Sequence, residues 1–251
     1  MNQKQLHNLV LGFADNVLIL GQRLGELCGH GPSLETDIAC TNIALDLIGQ
    51  SRTFYQYASK LSEDSKTEDD LAFLRLERAY KNVLLVEQPN THFGYVMARQ
   101  FFFDAFHLLW LEALKLSKDN TLAAIAEKAI LEVKYHKRFS SDWVKRLGDG
   151  TPESATKMQE AIDALWPYTK EFFIATPIET MAAAKGIAPK LEALEASYYK
   201  TVNAVLNEAQ LKVPEITYFQ KGGKEGIHSE HMGYLLAEMQ YMQRTYPGLE
   251  W

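Results

Sequence analysis

Leu122, Ala126, Ala129, Val133, His136, Ser140, Trp143 and Leu147 recur at intervals of three and four residues. That spacing draws one continuous stripe down an α-helix. The stripe starts after a cap at Asp119 or Asn120 and stops at Gly148-Asp149-Gly150-Thr151-Pro152, where Pro152 suits the first turn of a following helix. The same period governs the rest of the chain. Leu6, Leu9, Val10, Phe13, Val17, Leu20, Leu24 and Leu27 define a first helix, and Leu11 and Leu18 give it a second apolar side, so most of its surface is expected to be buried. Gly29, Gly31 and Pro32 end it, and Ser33 caps a second helix with core stripe Ile43, Leu47, Gln50, Phe54, Tyr57 and Leu61. Further helices are predicted over 71–86, 93–116, 153–173, 177–186, 190–209 and 231–245, with an irregular stretch from Val213 to Ser229. With 15 Gly and 8 Pro in 251 residues, punctuation is sparse, which favours long helices over many short strands. The expected fold is all-α, one domain over 1–251 with a core bundle over about 3–150 and a C-terminal helical extension over about 151–251. Two domains split near residue 151 are the alternative.

Composition narrows the function classes. The formal net charge is −6 and no basic tract stands out, so nucleic acid is not an expected partner. The two cysteines, Cys28 and Cys40, lack CxxC spacing and are expected as free buried thiols in a reducing compartment. The first residues, Met1-Asn2-Gln3-Lys4-Gln5, have no signal-peptide character. The most apolar run, Phe101 to Leu111, is broken by Asp104 and His107 and is too short for a bilayer span. A cytoplasmic protein away from membranes is expected.

Three constellations invite a chemical reading. Four-helix carboxylate metal centres take two lone Glu and two Glu-x-x-His pairs, all projecting inward. Here the corresponding spacing carries Leu47-x-x-Gln50 and Val133-x-x-His136, so one imidazole survives where two carboxylates and two imidazoles are needed. His136 and Gln50 are therefore expected as core residues hydrogen-bonded to each other or to nearby carboxylates. Asp104-x-x-His107 is an acid and an imidazole one turn apart, which suits mutual satisfaction in aromatic surroundings more than acid–base catalysis. His228-Ser229-Glu230-His231 resembles a zinc fragment but has no third ligand, and Ser229 reads as the cap of the last helix. The preceding Lys221-Gly222-Gly223-Lys224-Glu225-Gly226 does not match a P-loop and is expected to be a surface loop.

Longer segments carry a family resemblance. Leu24-Gly25-Glu26-Leu27-Cys28-Gly29-His30, Ile43-Ala44-Leu45-Asp46-Leu47-Ile48-Gly49-Gln50, Leu84-Leu85-Val86-Glu87-Gln88-Pro89-Asn90, Gly222 to His231 and Leu236 to Arg244 resemble the non-catalytic structural subunits (PaaC) of bacterial ring 1,2-phenylacetyl-CoA epoxidases. These are members of the ferritin-like superfamily. The resemblance implies a bundle that has lost its di-iron centre, with Gln22, Leu47, Gln50, Asp104, Val133 and His136 at vestigial ligand positions and no cofactor in this chain. It implies a homologous di-iron catalytic subunit as partner, a small bridging subunit, and a reductase carrying FAD and [2Fe-2S]. The substrate is a CoA thioester, into whose aromatic ring one oxygen atom from O2 is inserted. Contacts to the CoA ester map onto Ala79-Tyr80-Lys81-Asn82 and, more weakly, onto Thr180-Met181-Ala182. Lys81 would pair with a phosphate and Tyr80 would pack on adenine, although a solvated helix face accounts for these residues equally well. The alternatives are a self-sufficient metal-dependent oxygenase with an atypical site around Asp104 and His136, and a free-standing helical protein.

Overall fold

The computed structural model describes residues 1–249, which are all-α and contain ten α-helices and no strand. The all-α, ferritin-like expectation is met by two pairs of long helices, each with its own core. The chain divides into two compact units. The first combines Met1–Pro89 with the C-terminal segment from Gly222, and the second is Asn90–Lys221.

In the first unit, α1 (Gln3–Gly25) and α2 (Leu34–Leu61) lie antiparallel. His7 Nδ1 meets Ala58 O at 2.8 Å near one end, and Gly21 lies against Ala44, Leu47 and Ile48 near the other. A Cβ at Gly21 would sit 3.3 Å from that of Leu47, so the helices approach too closely for a larger residue to fit without adjustment. A capping box between Asn2 and Gln5 starts α1, and Ser33 caps α2 through the Thr36 amide. As expected, α1 is buried on nearly all sides. It stops at Gly25, four residues before the first predicted breaker. The short α3 (Glu68–Phe73), α9 (Glu230–Met239) and α10 (Tyr241–Thr245) complete this unit.

The helix predicted over 71–86 does not form. After α3 the chain makes two single-turn 3-10 segments, Glu77–Ala79 and Leu84–Glu87, joined by extended residues. The cause is tertiary. Asp15 Oδ2 accepts the Lys81 amide at 2.8 Å, and Asn16 Oδ1 accepts the Val83 amide at 2.9 Å. Side chains of α1 thus capture the donors that helical bonds would have used.

In the second unit, α4 (Phe93–Leu114) and α5 (Asn120–Gly148) are also antiparallel. Phe93 meets Trp143 edge-on at 5.0 Å, while Lys115 pairs with Glu127 at 3.1 Å at the opposite end. Next come α6 (Pro152–Leu165), α7 (Pro177–Ala184) and α8 (Glu195–Glu208). The stretch predicted as one helix to residue 173 changes at Trp166-Pro167 to 3-10 geometry, because Pro167 has no amide hydrogen to donate. Phe106 stacks flat on Phe172 at 4.4 Å, and Phe173 and Tyr198 close the aromatic core. No helix among the described residues is long and apolar enough to cross a membrane.

Candidate functional site

The polar residues of α4 and α5 form a buried seam inside the second unit. Gln100, Asp104 and His107 stand at i, i+4 and i+7 on α4, while Val133, His136 and Ser140 stand at i, i+3 and i+7 on α5, and all are buried. Gln100 Nε2 donates to Asp104 Oδ1 at 2.7 Å, and Ser140 Oγ donates to Asp104 Oδ2 at 2.8 Å. Burial pushes the Asp104 carboxyl up to about 6, against the opposing influence of His136 and of these two donors. The carboxyl therefore keeps its proton to a higher pH than an exposed aspartate does.

The expected Asp104–His107 pair does not form. The Asp104 oxygens are taken by Gln100 and Ser140, and the His107 ring lies instead on Phe103, centroids 5.0 Å apart. Neither ring nitrogen of His107 has a hydrogen-bond partner. Burial, with the nearby His136 adding to it, lowers its pKa to about 3, so the ring is neutral.

The other three positions expected to be vestigial, Gln22, Leu47 and Gln50, belong to the first unit. Leu47 is fully buried against Gly21, Gln50 is buried, and Gln22 is half-buried on α1. Within that unit these positions supply a hydrocarbon and two amides. Within the second unit they supply valine, one imidazole and one carboxyl that already accepts two hydrogen bonds. Among the described residues no three His, Cys, Asp or Glu side chains come together as a metal site would require. The donor set present does not fit a di-iron centre, which needs four carboxylates and two imidazoles.

The residues expected near a CoA ester are placed differently from a solvated helix face. Ala79 is exposed at the end of a 3-10 turn, whereas Tyr80 and Asn82 are fully buried. Tyr80 donates its hydroxyl to Ala72 O at 2.7 Å and accepts from Gln240 Nε2 at 2.8 Å, with the Arg75 guanidinium 4.1 Å above its ring. Lys81 Nζ donates to Arg78 O at 3.1 Å and Glu225 O at 3.0 Å. Asn82 Nδ2 donates to Glu87 Oε1 at 3.1 Å. In the second unit, Thr180 and Met181 are exposed on α7 and Ala182 is buried beneath them.

Two buried ionic clusters were missed by sequence reasoning. Asp15 pairs with Arg75, accepts the Tyr55 hydroxyl at 2.6 Å and also takes the Lys81 amide. The second cluster centres on Glu87, which is fully buried. Its Oε1 meets His228 Nδ1 at 2.8 Å, and its Oε2 accepts both the amide and the hydroxyl of Ser229, at 2.8 and 2.7 Å. His228 Nε2 faces Tyr80 O at 3.0 Å. Both ring nitrogens thus face acceptors, an arrangement that only the doubly protonated imidazolium satisfies. Burial acts to depress the His228 pKa, but the Glu87 contact and the Tyr80 carbonyl outweigh it and raise it overall. Each cluster had a signal in the sequence: a lone acid in an apolar helical run, Leu11 to Leu20, and another ending Leu84-Leu85-Val86-Glu87.

These contacts correct further expectations. Ser229 sits at the N-cap of α9 but makes no capping bond, because Glu87 takes its hydroxyl. His228 and His231 do not converge as metal ligands. His228 pairs with Glu87, and the His231 carbonyl accepts from Arg23 Nη2 at 3.0 Å. The predicted surface loop is a docked strap whose Gly223 packs on the Asn82–Leu84 backbone and whose Gly226 packs on Arg78 O. Gly226 has φ +83°, a conformation that favours glycine. Of the cysteines, Cys40 is buried, with its thiol pushed up to about 12 by burial, whereas Cys28 is exposed, contrary to expectation.

A family described as "Phenylacetic acid catabolic protein" matches residues 1–251. The chain is also 50% identical over 251 residues, covering 100% of both sequences, to a protein of Escherichia coli (strain K12) that is named as one of the subunits of 1,2-phenylacetyl-CoA epoxidase. Both findings agree with the resemblance carried by the segments around Gly25, Leu47, Glu87 and His228. The chain belongs to the phenylacetic acid catabolic protein family.

Proposed function

We propose that this chain is a non-catalytic structural subunit of a multicomponent phenylacetyl-CoA 1,2-epoxidase. It braces a homologous di-iron subunit and contributes to holding the CoA ester, through Ala79 and Lys81 at the edge of the Tyr80–Asn82 segment and through Thr180 and Met181 above Ala182. The observation that carries this reading is that Leu47 and Val133, at two ligand positions, are fully buried hydrocarbon side chains. The full-length relative named as an epoxidase subunit supplies the setting. Oxygen insertion then belongs to the partner, with electrons from a flavin and iron–sulfur reductase and with a small bridging subunit in the same cytoplasmic complex.

Co-expression with the candidate catalytic subunit tests the role. A stable complex is expected, with its iron on the other chain and none retained by this one. Two irons bound to this chain alone, together with turnover of phenylacetyl-CoA when a reductase is added, would identify it as the oxygenase. Failure to co-purify with any epoxidase subunit would remove the structural role.

A further inference from the structure

Within the first unit, a pocket of about 650 Å³ opens between α3 and the α10 segment. Phe73, Leu74 and Tyr246 supply apolar walls, and Asp69, Asp70 and Arg244 supply charge. Leu74 and Tyr246 are each 47% exposed, and Leu76, just beyond, is 73% exposed. The charges are not equally available. Asp70 Oδ2 is occupied by the Thr67 amide and hydroxyl at 2.9 and 2.8 Å. Arg244 Nε donates to Gln240 Oε1 at 2.8 Å, and its Nη2 turns to the Arg75 and Leu74 carbonyls at 3.1 and 3.4 Å. The Asp69 side chain makes no hydrogen bond or ion pair among the described residues. Phe73 follows Asp69 by four positions on α3, so a carboxylate and an aromatic ring share one face of that helix.

A carboxylate beside aromatic and aliphatic walls complements a long basic side chain, whose stem packs on the rings while its head meets the acid. The net charge of the lining is negative, and the whole chain carries −6. A basic surface is therefore steered towards the pocket and an acidic one is repelled. We propose that the pocket receives a lysine or arginine, flanked by apolar residues, from another subunit of the same complex. This rests on the proposed subunit role, since that role supplies the partner chain.

The test measures binding of the full chain to each separately purified epoxidase subunit, using the native chain, Asp69→Asn and Asp69→Lys. Asp69 is exposed, and circular dichroism checks that both variants keep the fold. Asp69→Lys is expected to weaken binding of one subunit by at least about tenfold, Asp69→Asn by less, and native affinity should fall as salt rises. Reversing the matching basic residue on that subunit should recover binding to the Asp69→Lys chain. If the native chain binds its partners and Asp69→Lys binds all of them equally well, the pocket assignment is wrong and the subunit role stands. If the native chain binds none of them, both readings fall. If Asp69→Lys instead abolishes self-association, the occupant is a second copy of this chain and the assignment is overturned.

Discussion

Asp104 shows how one residue stores a pH-dependent cost inside a helical core. Its carboxyl, ordinarily near 3.8, is raised to about 6 by burial. Asp104 in the folded chain therefore holds its proton more tightly than in the unfolded chain, so its contribution to stability is most favourable in acid and falls as pH rises from about 4 to about 6. The difference amounts to about 3 kcal/mol at most above pH 6. Asp104→Asn keeps an acceptor for Ser140 and adds a donor for Gln100 Oε1, which has no partner. Thermal melts should show the variant more stable than the native chain at pH 8 by about 1–3 kcal/mol, with the gap closing near pH 4. Equal pH profiles for the two proteins would refute a buried, strained carboxyl. His136, on the facing helix, tests a different point. His136→Ala should cost about 1–3 kcal/mol of stability through lost packing while leaving epoxidation by the assembled complex intact. Loss of turnover in a complex of normal stability would place His136 in the chemistry.

At the scale of elements, the long helices were legible because α1, α2 and α5 carry a period of three and four, while α4 is a long apolar run buried on nearly all sides. The bounds of α2, α4 and α5 fall within a few residues of expectation, and the caps at Ser33 and Asp119 were correctly placed. The segment 71–86 was misread because its apolar residues keep a helical spacing while its amides are claimed by Asp15 and Asn16, 60 or more positions away. The strap before α9 was misread for a similar reason. Nothing local in a Gly-Lys stretch reveals that Glu87, 142 positions from Ser229, will hold it. Glu87→Gln should therefore cost about 3–5 kcal/mol, the usual loss when one member of a buried pair is removed. Hydrogen exchange should locate the damage by faster exchange of the amides around Ser229. The pH dependence has the same sense as that of Asp104 but lies at higher pH. His228 has a raised pKa, facing Glu87 with Glu77 nearby, so its contribution is complete below about 6.5 and is lost as pH rises through the folded value. The stability advantage of the native chain over His228→Gln should shrink between pH 6 and pH 9. An advantage that grows over that range would mean that the ring is neutral in the folded protein.

For the molecule as a whole, the proposed role turns on what the two cores contain. A bracing subunit needs rigid, fully packed helices more than open coordination positions, and the contact of Leu47 with Gly21 and the two hydrogen bonds on Asp104 are packing solutions. The all-α class, the long helices and the absent Glu-x-x-His pairs were determined by the sequence alone. Periodicity is a local property, and a leucine or valine cannot ligate metal in any fold. Tertiary structure alone decided where the buried charges go: Asp15 to Arg75, Glu87 to His228, and Asp104 to Gln100 and Ser140 rather than to His107. A charge removed from water must find a partner, and which partner it finds depends on the helices folded beside it.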